Sequence, residues 1–213
     1  MNTLLLTGFE PFGGDRVNPS QGVARALHGQ HVGGLRVEGV LLPVDTVRAP
    51  RVLREAIGRT SPGAVLLTGL ASGRAQLALE RAALNVLDFR IPDNAGVSKQ
   101  DEPIEPGGPS AYLSTLPLRA IVSAWRAAEL PGYISDTAGL YLCNQLMYAA
   151  RHVLGDGVPC GFVHLPANAA VALNAPSPIP YLPQSEIERG VRLALEVVAA
   201  SLPNAPRAAA ASG

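Results

Sequence analysis

The sequence predicts an α/β protein: a single-domain, three-layer α/β/α sandwich around a mostly parallel, twisted sheet. Three observations carry this. Short apolar runs at residues 3–7, 64–68 and 160–163 read as buried strands, and two of them close on a glycine, Gly8 and Gly69. Segments with helical periodicity separate these strands along the whole chain. No internal repeat or linker divides it, so residues 1–203 read as one domain and residues 204–213 as a disordered tail.

In order, residues 3–7 form the first strand, and a loop at residues 9–15 follows it. Asn18, Pro19 and Ser20 look like a helix start, with Ser20 as N-cap and the helix ending near Leu27. Residues 35–43 are a second strand. Residues 49–59 are a helix that stops at the Ser61, Pro62, Gly63 breaker, and residues 64–68 are a strand. Residues 77–89 fit a helix as well as a pair of strands. Residues 90–109, rich in proline, glycine and acids, read as a long ordered loop. Residues 118–129 and 141–152 are helices, the second after a turn at Ala138 and Gly139. Residues 160–163 form a strand that ends at His164, and the proline-rich residues 166–183 read as loop. Residues 185–201 form a final helix, with Glu188 and Arg192 spaced to pair.

Composition narrows the function. The 213 residues carry 17 basic and 17 acidic side chains, with no basic block of the kind that marks nucleic-acid or membrane-surface binding. No basic leader precedes the first apolar run, and no stretch approaches membrane-spanning length. The expected location is cytoplasmic. Only 16% of residues are charged, which favours a partly covered surface and therefore a homo-oligomer. Clustered metal-ligand spacing, a phosphate-binding glycine loop and a GxSxG elbow are all missing, so no metal or cofactor is expected.

The two cysteines, Cys143 and Cys160, do not form a CxxC pair. Cys143 falls near the first turn of a helix, where free amides and the helix dipole lower a thiol pKa and can hold an oxyanion. A small buried residue on an apolar helix face explains that position equally well. Cys160, inside an apolar strand, reads as an inert core thiol. A thiol nucleophile needs a base. His28 and His31 flank a glycine in a polar surface stretch. His152 lies nine residues after Cys143, half a turn out of phase and roughly 13 Å along the axis. His164 stands at a strand end, where α/β sheets place their sites. It is either the base or a satisfied core histidine.

Several segments together resemble the pyroglutamyl peptidase type I (pyrrolidone-carboxylate peptidase) family of cysteine peptidases. They are Thr7 through Gly14 with Asn18, Pro19 and Ser20; Gly69 through Arg74 with Glu80, Arg81 and Asn85; Arg90 through Asn94; Ala138 through Asn144; and Gly161 through His164. The resemblance implies a Cys-His-Glu triad of Cys143, His164 and Glu80 in one peptidase domain, usually tetrameric. Glu80 comes from the resemblance alone; read by itself it is a helix-surface carboxylate beside an arginine. Arg90 and the backbone N–H of Cys143 would hold the oxyanion. Phe9 and Phe12 would wall a slot for the pyroglutamyl ring, although these two side chains also suit a local loop core. Ile91, Tyr141 and Leu142 match further pocket positions, Leu70 borders the site, and Asn18 matches a polar position near it. The implied substrate is a peptide with an N-terminal pyroglutamyl residue, cleaved through a thioester acyl-enzyme. Two departures stand out. Leu70 occupies a position where many relatives carry Gln, and residues 165–170 depart from the proline-rich run that often follows the histidine. Two other readings remain: a thiol amidase acting on another small lactam or amide, and a non-catalytic or nucleotide-binding α/β protein with a decayed site.

Overall fold

Continuous apolar runs become the centre of the sheet because each of their faces meets helices. The computed structural model describes residues 3–203; the tail expected to be disordered lies outside the described residues. Strands β1 (Thr3–Phe9), β3 (Leu35–Leu42), β4 (Ala64–Leu70) and β8 (Cys160–Leu165) are mutually parallel, in the order β3-β1-β4-β8. β2 (His31–Val32) adds an antiparallel edge at β3. On the other side β5 (Leu77–Leu84) runs antiparallel to β8 and pairs with β6 (Ala111–Leu113) and β7 (Gly132–Thr137).

Side-chain alternation along each strand assigns the layers. Leu4, Leu6, Leu66, Leu79, Val163 and Leu165 pack on one face. They meet α1 (Pro19–Leu27), α3 (Leu118–Ala127) and α6 (Gln184–Ser201). Leu5, Val65, Leu67 and Phe162 pack on the opposite face, under α2 (Arg48–Thr60) and α4 (Leu142–Leu154). This is the expected three-layer sandwich, and each fully buried leucine in it contributes about 1.5–3 kcal/mol.

Local details depart from the sequence reading. Asn18, not Ser20, caps α1: its Oδ1 accepts from the Ser20 N–H at 3.1 Å and from the Ser20 hydroxyl at 2.8 Å. Ser20 lies inside the helix, fully buried, and its hydroxyl accepts the Phe9 N–H across to β1. The ambiguous segment at 77–89 holds the single strand β5 over Leu77–Leu84, because tertiary pairing on β8 and β7 overrides its helical option, and residues 85–89 lie beyond it. β2, β6 and β7 are short or partly exposed and carry little periodic signal. The 166–183 loop contains α5 (Ala169–Asn174), capped by the Asn168 side chain on the Val171 N–H. Glu188 and Arg192 do not pair; Glu188 accepts from Gln184, and Arg192 reaches Gln30. No described helix is long and apolar enough to cross a membrane.

Candidate active site

Three elements deliver side chains to the same place on the α2/α4 side of the sheet. His164 lies two residues beyond Phe162 on β8, so it shares the face that Phe162 presents to that side. Gly69 on β4 is its cross-strand partner in the parallel register. A Cβ built on Gly69 would stand 2.9 Å from the Cys143 Sγ and 2.9 Å from Phe162 Cζ. The sulfur of Cys143 therefore fills the space that a side chain at position 69 would take, which sets it on the His164 side of the sheet. Ala78 on β5 opposes His164 in the antiparallel register. Glu80, two residues on, returns to that face, and its Oε1 lies 2.7 Å from His164 Nδ1.

The start of α4 is held in place independently. Asn144, fully buried, accepts the Leu84 N–H at 2.7 Å and donates to the Leu84 and Val86 carbonyls at 2.8 and 2.9 Å. That clamp ties the residue after Cys143 to the end of the strand that carries Glu80. Gly139 takes φ of 80° in the turn before the helix, a left-handed conformation that glycine adopts without strain. Tyr141 occupies the N-cap position without a capping side chain, so the first-turn amides, Cys143 among them, carry no cap.

The electrostatics overturn one expectation. Burial pushes the Cys143 thiol up to about 12, the Glu80 carboxylate adds to the rise, and Arg74 and the Cys143 amide oppose it only in part. The helix-start argument for a lowered thiol pKa loses to desolvation, because the sulfur of this partly buried residue is tucked over β4. Burial also holds His164 below the usual histidine value; the hydrogen bond and charge of Glu80 oppose this, and Arg74 reinforces it. The pair at neutral pH is thiol and neutral imidazole. With its Nδ1–H donated to Glu80, His164 keeps a lone pair on Nε2.

A small apolar slot opens beside Cys143, lined by Phe9, Phe12, Asn18, Val44, Leu70, Tyr141 and Leu142. The residues at 88–97 form a strap anchored beside it, against Tyr141, Thr46 and the β1 loop. Tyr141 donates its hydroxyl to the Pro92 carbonyl at 3.2 Å, and Phe89 packs edge-on against the Tyr141 ring. Asp93 accepts both the amide and the hydroxyl of Thr46, and Asn94 donates to Glu10 and to the Pro11 carbonyl. Phe9, Phe12, Leu70, Tyr141, Leu142 and Asn18 thus line one slot. The Asn18 side chain is already engaged as the α1 cap and on the Glu10 carbonyl. Arg90 and Ile91 are exposed on the strap and do not line the slot.

Other sequence assignments resolve against this geometry. Glu80 lies on a strand, fully buried, not on a helix surface. His152 is on α4, paired with the Tyr112 hydroxyl at 2.9 Å. His28 and His31 are exposed, and Cys160 is fully buried in the core. Sequence reasoning missed Arg74, whose guanidinium meets Glu80 Oε1 at 2.6 Å. It also missed the Asn144 clamp.

Known proteins resemble this chain over most of its length. A family model described as pyroglutamyl peptidase matches residues 2–201. The pyrrolidone-carboxylate peptidase of Deinococcus radiodurans is 56% identical over 208 residues, covering 94% of this chain and 95% of its own. That of Coprothermobacter proteolyticus is 41% identical, covering 95% and 99%. Among solved structures, a mutant pyrrolidone carboxyl peptidase from Pyrococcus furiosus superposes with a TM-score of 0.91 at 37% identity, covering 94% of this chain and 99% of its own. The pyrrolidone carboxyl peptidase of Thermococcus litoralis gives 0.89 at 36% identity, covering 93% of each.

Proposed function

The chain belongs to the pyroglutamyl peptidase family, and from that premise we propose that it removes an N-terminal pyroglutamyl residue from peptides, with Cys143 as nucleophile. The observation that carries the reading is the placement of the Cys143 sulfur in the Gly69 notch, on the face of His164, whose Nδ1 is held by Glu80.

The lactam ring of pyroglutamate is small, flat and uncharged, and it suits the apolar slot between Phe9, Phe12 and Tyr141. Cys143 Sγ attacks the carbonyl that joins the ring to the next residue. Because the free thiol sits near 12, its proton leaves to His164 Nε2 as the C–S bond forms. Glu80 holds the imidazole in the required tautomer and stabilises the imidazolium. The Cys143 amide, uncapped at the start of α4, donates to the tetrahedral oxyanion, and Arg90 swings in from the strap as the second donor. Collapse of that intermediate breaks the C–N bond, and His164 returns the proton to the leaving amine. A water deprotonated by His164 then hydrolyses the thioester and releases pyroglutamate and the thiol. Leu70 and Leu142 complete the walls of the slot, and Asn18 keeps the β1 loop in shape through its cap.

We place this chemistry in residues 1–203 as one catalytic unit, in keeping with the span of the family match. A cytoplasmic location suits the free cysteines Cys143 and Cys160. A homotetramer suits the low charge content and exposed apolar side chains such as Val47, Leu173 and Tyr181; light scattering of the purified protein tests it.

The deciding experiment compares a fluorogenic pyroglutamyl amide with the prolyl and glutamyl amides. Selective cleavage of the pyroglutamyl substrate is expected, and equal cleavage of all three would point instead to a general thiol amidase. Cys143→Ala should abolish turnover and Cys160→Ala should retain most of it; equal loss in both would remove Cys143 from its role.

A further inference from the structure

Arg74 stands in the turn between β4 and β5, its N–H bonded to the Ala71 carbonyl at 2.9 Å. Its guanidinium reaches into the protein. Nη1 lies 2.6 Å from Glu80 Oε1, the same oxygen that receives His164 Nδ1 at 2.7 Å. Glu80 is fully buried, and its other oxygen, Oε2, has no hydrogen-bond partner among the described residues. Both donors that satisfy this carboxylate therefore converge on one atom. A bare carboxylate in such a place is strongly disfavoured, so its charge needs a permanent partner. Arginine is that partner at any working pH.

We propose that Arg74 is a positioning residue for the reaction: by sharing Oε1 of Glu80 with His164 it fixes the acceptor of the Nδ1 proton and supplies the counter-charge that leaves the imidazole neutral, with Nε2 free to take the thiol proton. The titratable and charged groups that face His164 are Glu80 on β5, Arg74 on the turn and Cys143 on α4. With Arg74 present, the Glu80 charge is already paired, so less of it is left to stabilise a protonated His164. Without it, a protonated His164 is left as the partner of the buried carboxylate. The direction of the Arg74 effect, lowering both His164 and Cys143, agrees. Arg74 does not line the apolar slot, so it contributes to proton handling and not to ring binding.

The inference rests on the Cys143, His164, Glu80 reading, and the test separates the two. His164 is titrated by NMR in histidine-labelled wild type, Arg74→Met and Arg74→Lys, alongside kcat and KM for a pyroglutamyl amide across pH. In Arg74→Met the His164 midpoint should rise and the acidic limb of kcat/KM should move up with it. At pH 7 kcat should fall by about 10- to 100-fold, the usual effect of losing a hydrogen bond to a charged group, with KM nearly unchanged. Arg74→Lys should hold the midpoint near wild type and recover most of kcat, since the contact is made through one nitrogen. If Arg74→Met does not fold, Arg74→Gln serves as the neutral variant with the same expected rise. A midpoint that stays or falls in the neutral variant overturns the proposal, as does a lysine variant that titrates like the neutral one. The titration needs no substrate: a wild-type protein inactive on pyroglutamyl amides would defeat the peptidase reading while the histidine midpoints still decide the role of Arg74.

Discussion

Gly69→Ala adds a single methyl group at the point where the sheet, the nucleophile and the core meet. Its Cβ would stand 2.9 Å from both Cys143 Sγ and Phe162 Cζ, and 3.4 Å from Phe162 Cε1. Comfortable carbon contacts begin near 3.5 Å, so each neighbour must retreat by about 0.6 Å or more. Phe162 is fully buried under α4 and has little room to move. The sulfur, on the first turn of a helix clamped by Asn144, takes most of the displacement. Misplacing a reacting atom by about 1 Å costs on the order of a hundredfold in rate, and overpacking of this kind costs about 1–3 kcal/mol. At roughly 2–4 °C per kcal/mol for a chain of this size, the melting temperature should drop by about 2–12 °C. The assay is kcat/KM on a fluorogenic pyroglutamyl amide with a thermal melt in parallel. Gly73→Ala, where nothing lies within 4 Å of the new methyl group, is the control and should behave as wild type. A Gly69→Ala enzyme within threefold of wild type in kcat/KM would refute the claim that the sulfur occupies this notch.

Three further outcomes follow from the site. Asn144→Ala removes partners from the Leu84 amide and the Leu84 and Val86 carbonyls; a loss of about 3 kcal/mol in denaturant unfolding, with a larger fall in kcat than rise in KM, is expected. Asp93→Ala frees the strap from Thr46 and from the Ala95 and Val97 amides; KM should rise about tenfold while the melting temperature changes little. His164 is held below the histidine value of 6.5, so the acidic limb of kcat/KM should fall below pH 6.5. With the folded value depressed, the stability contributed by neutral His164 is full above 6.5 and is lost as pH falls from there toward the folded value. Thermal melts from pH 7.5 to 5 should therefore flatten at the acid end in His164→Phe relative to wild type.

How far the sequence could be read depends on whether a signal was local. The strands at 3–7, 64–68 and 160–163 were legible because burial on both faces leaves an unbroken apolar run. The residues at 77–84 were not, since one pattern of apolar residues satisfies both a helix and a strand until β8 and β7 offer their edges. Ser20 looked like a cap because serine commonly serves as one; Asn18 won because Pro19 fits the first helical position and leaves residue 18 extended, with its side chain turned back to the Ser20 amide. His152 could be excluded by helical phase alone, whereas the choice of His164 needed a sheet topology to complete it.

Cys143 shows the division between the two sources. Its place on the first turn of a helix is a local property, and the sequence by itself determined it, along with the α/β class and the family signature. Its ionisation is not local. The helix start favours a thiolate, but the sheet below and the Glu80 carboxylate favour the thiol, and only the tertiary structure decides between them. The same holds for Glu80, which is six residues from Arg74 and 84 from His164 in the chain. Desolvation and charge pairing depend on which strands lie side by side, and chain spacing carries no record of that.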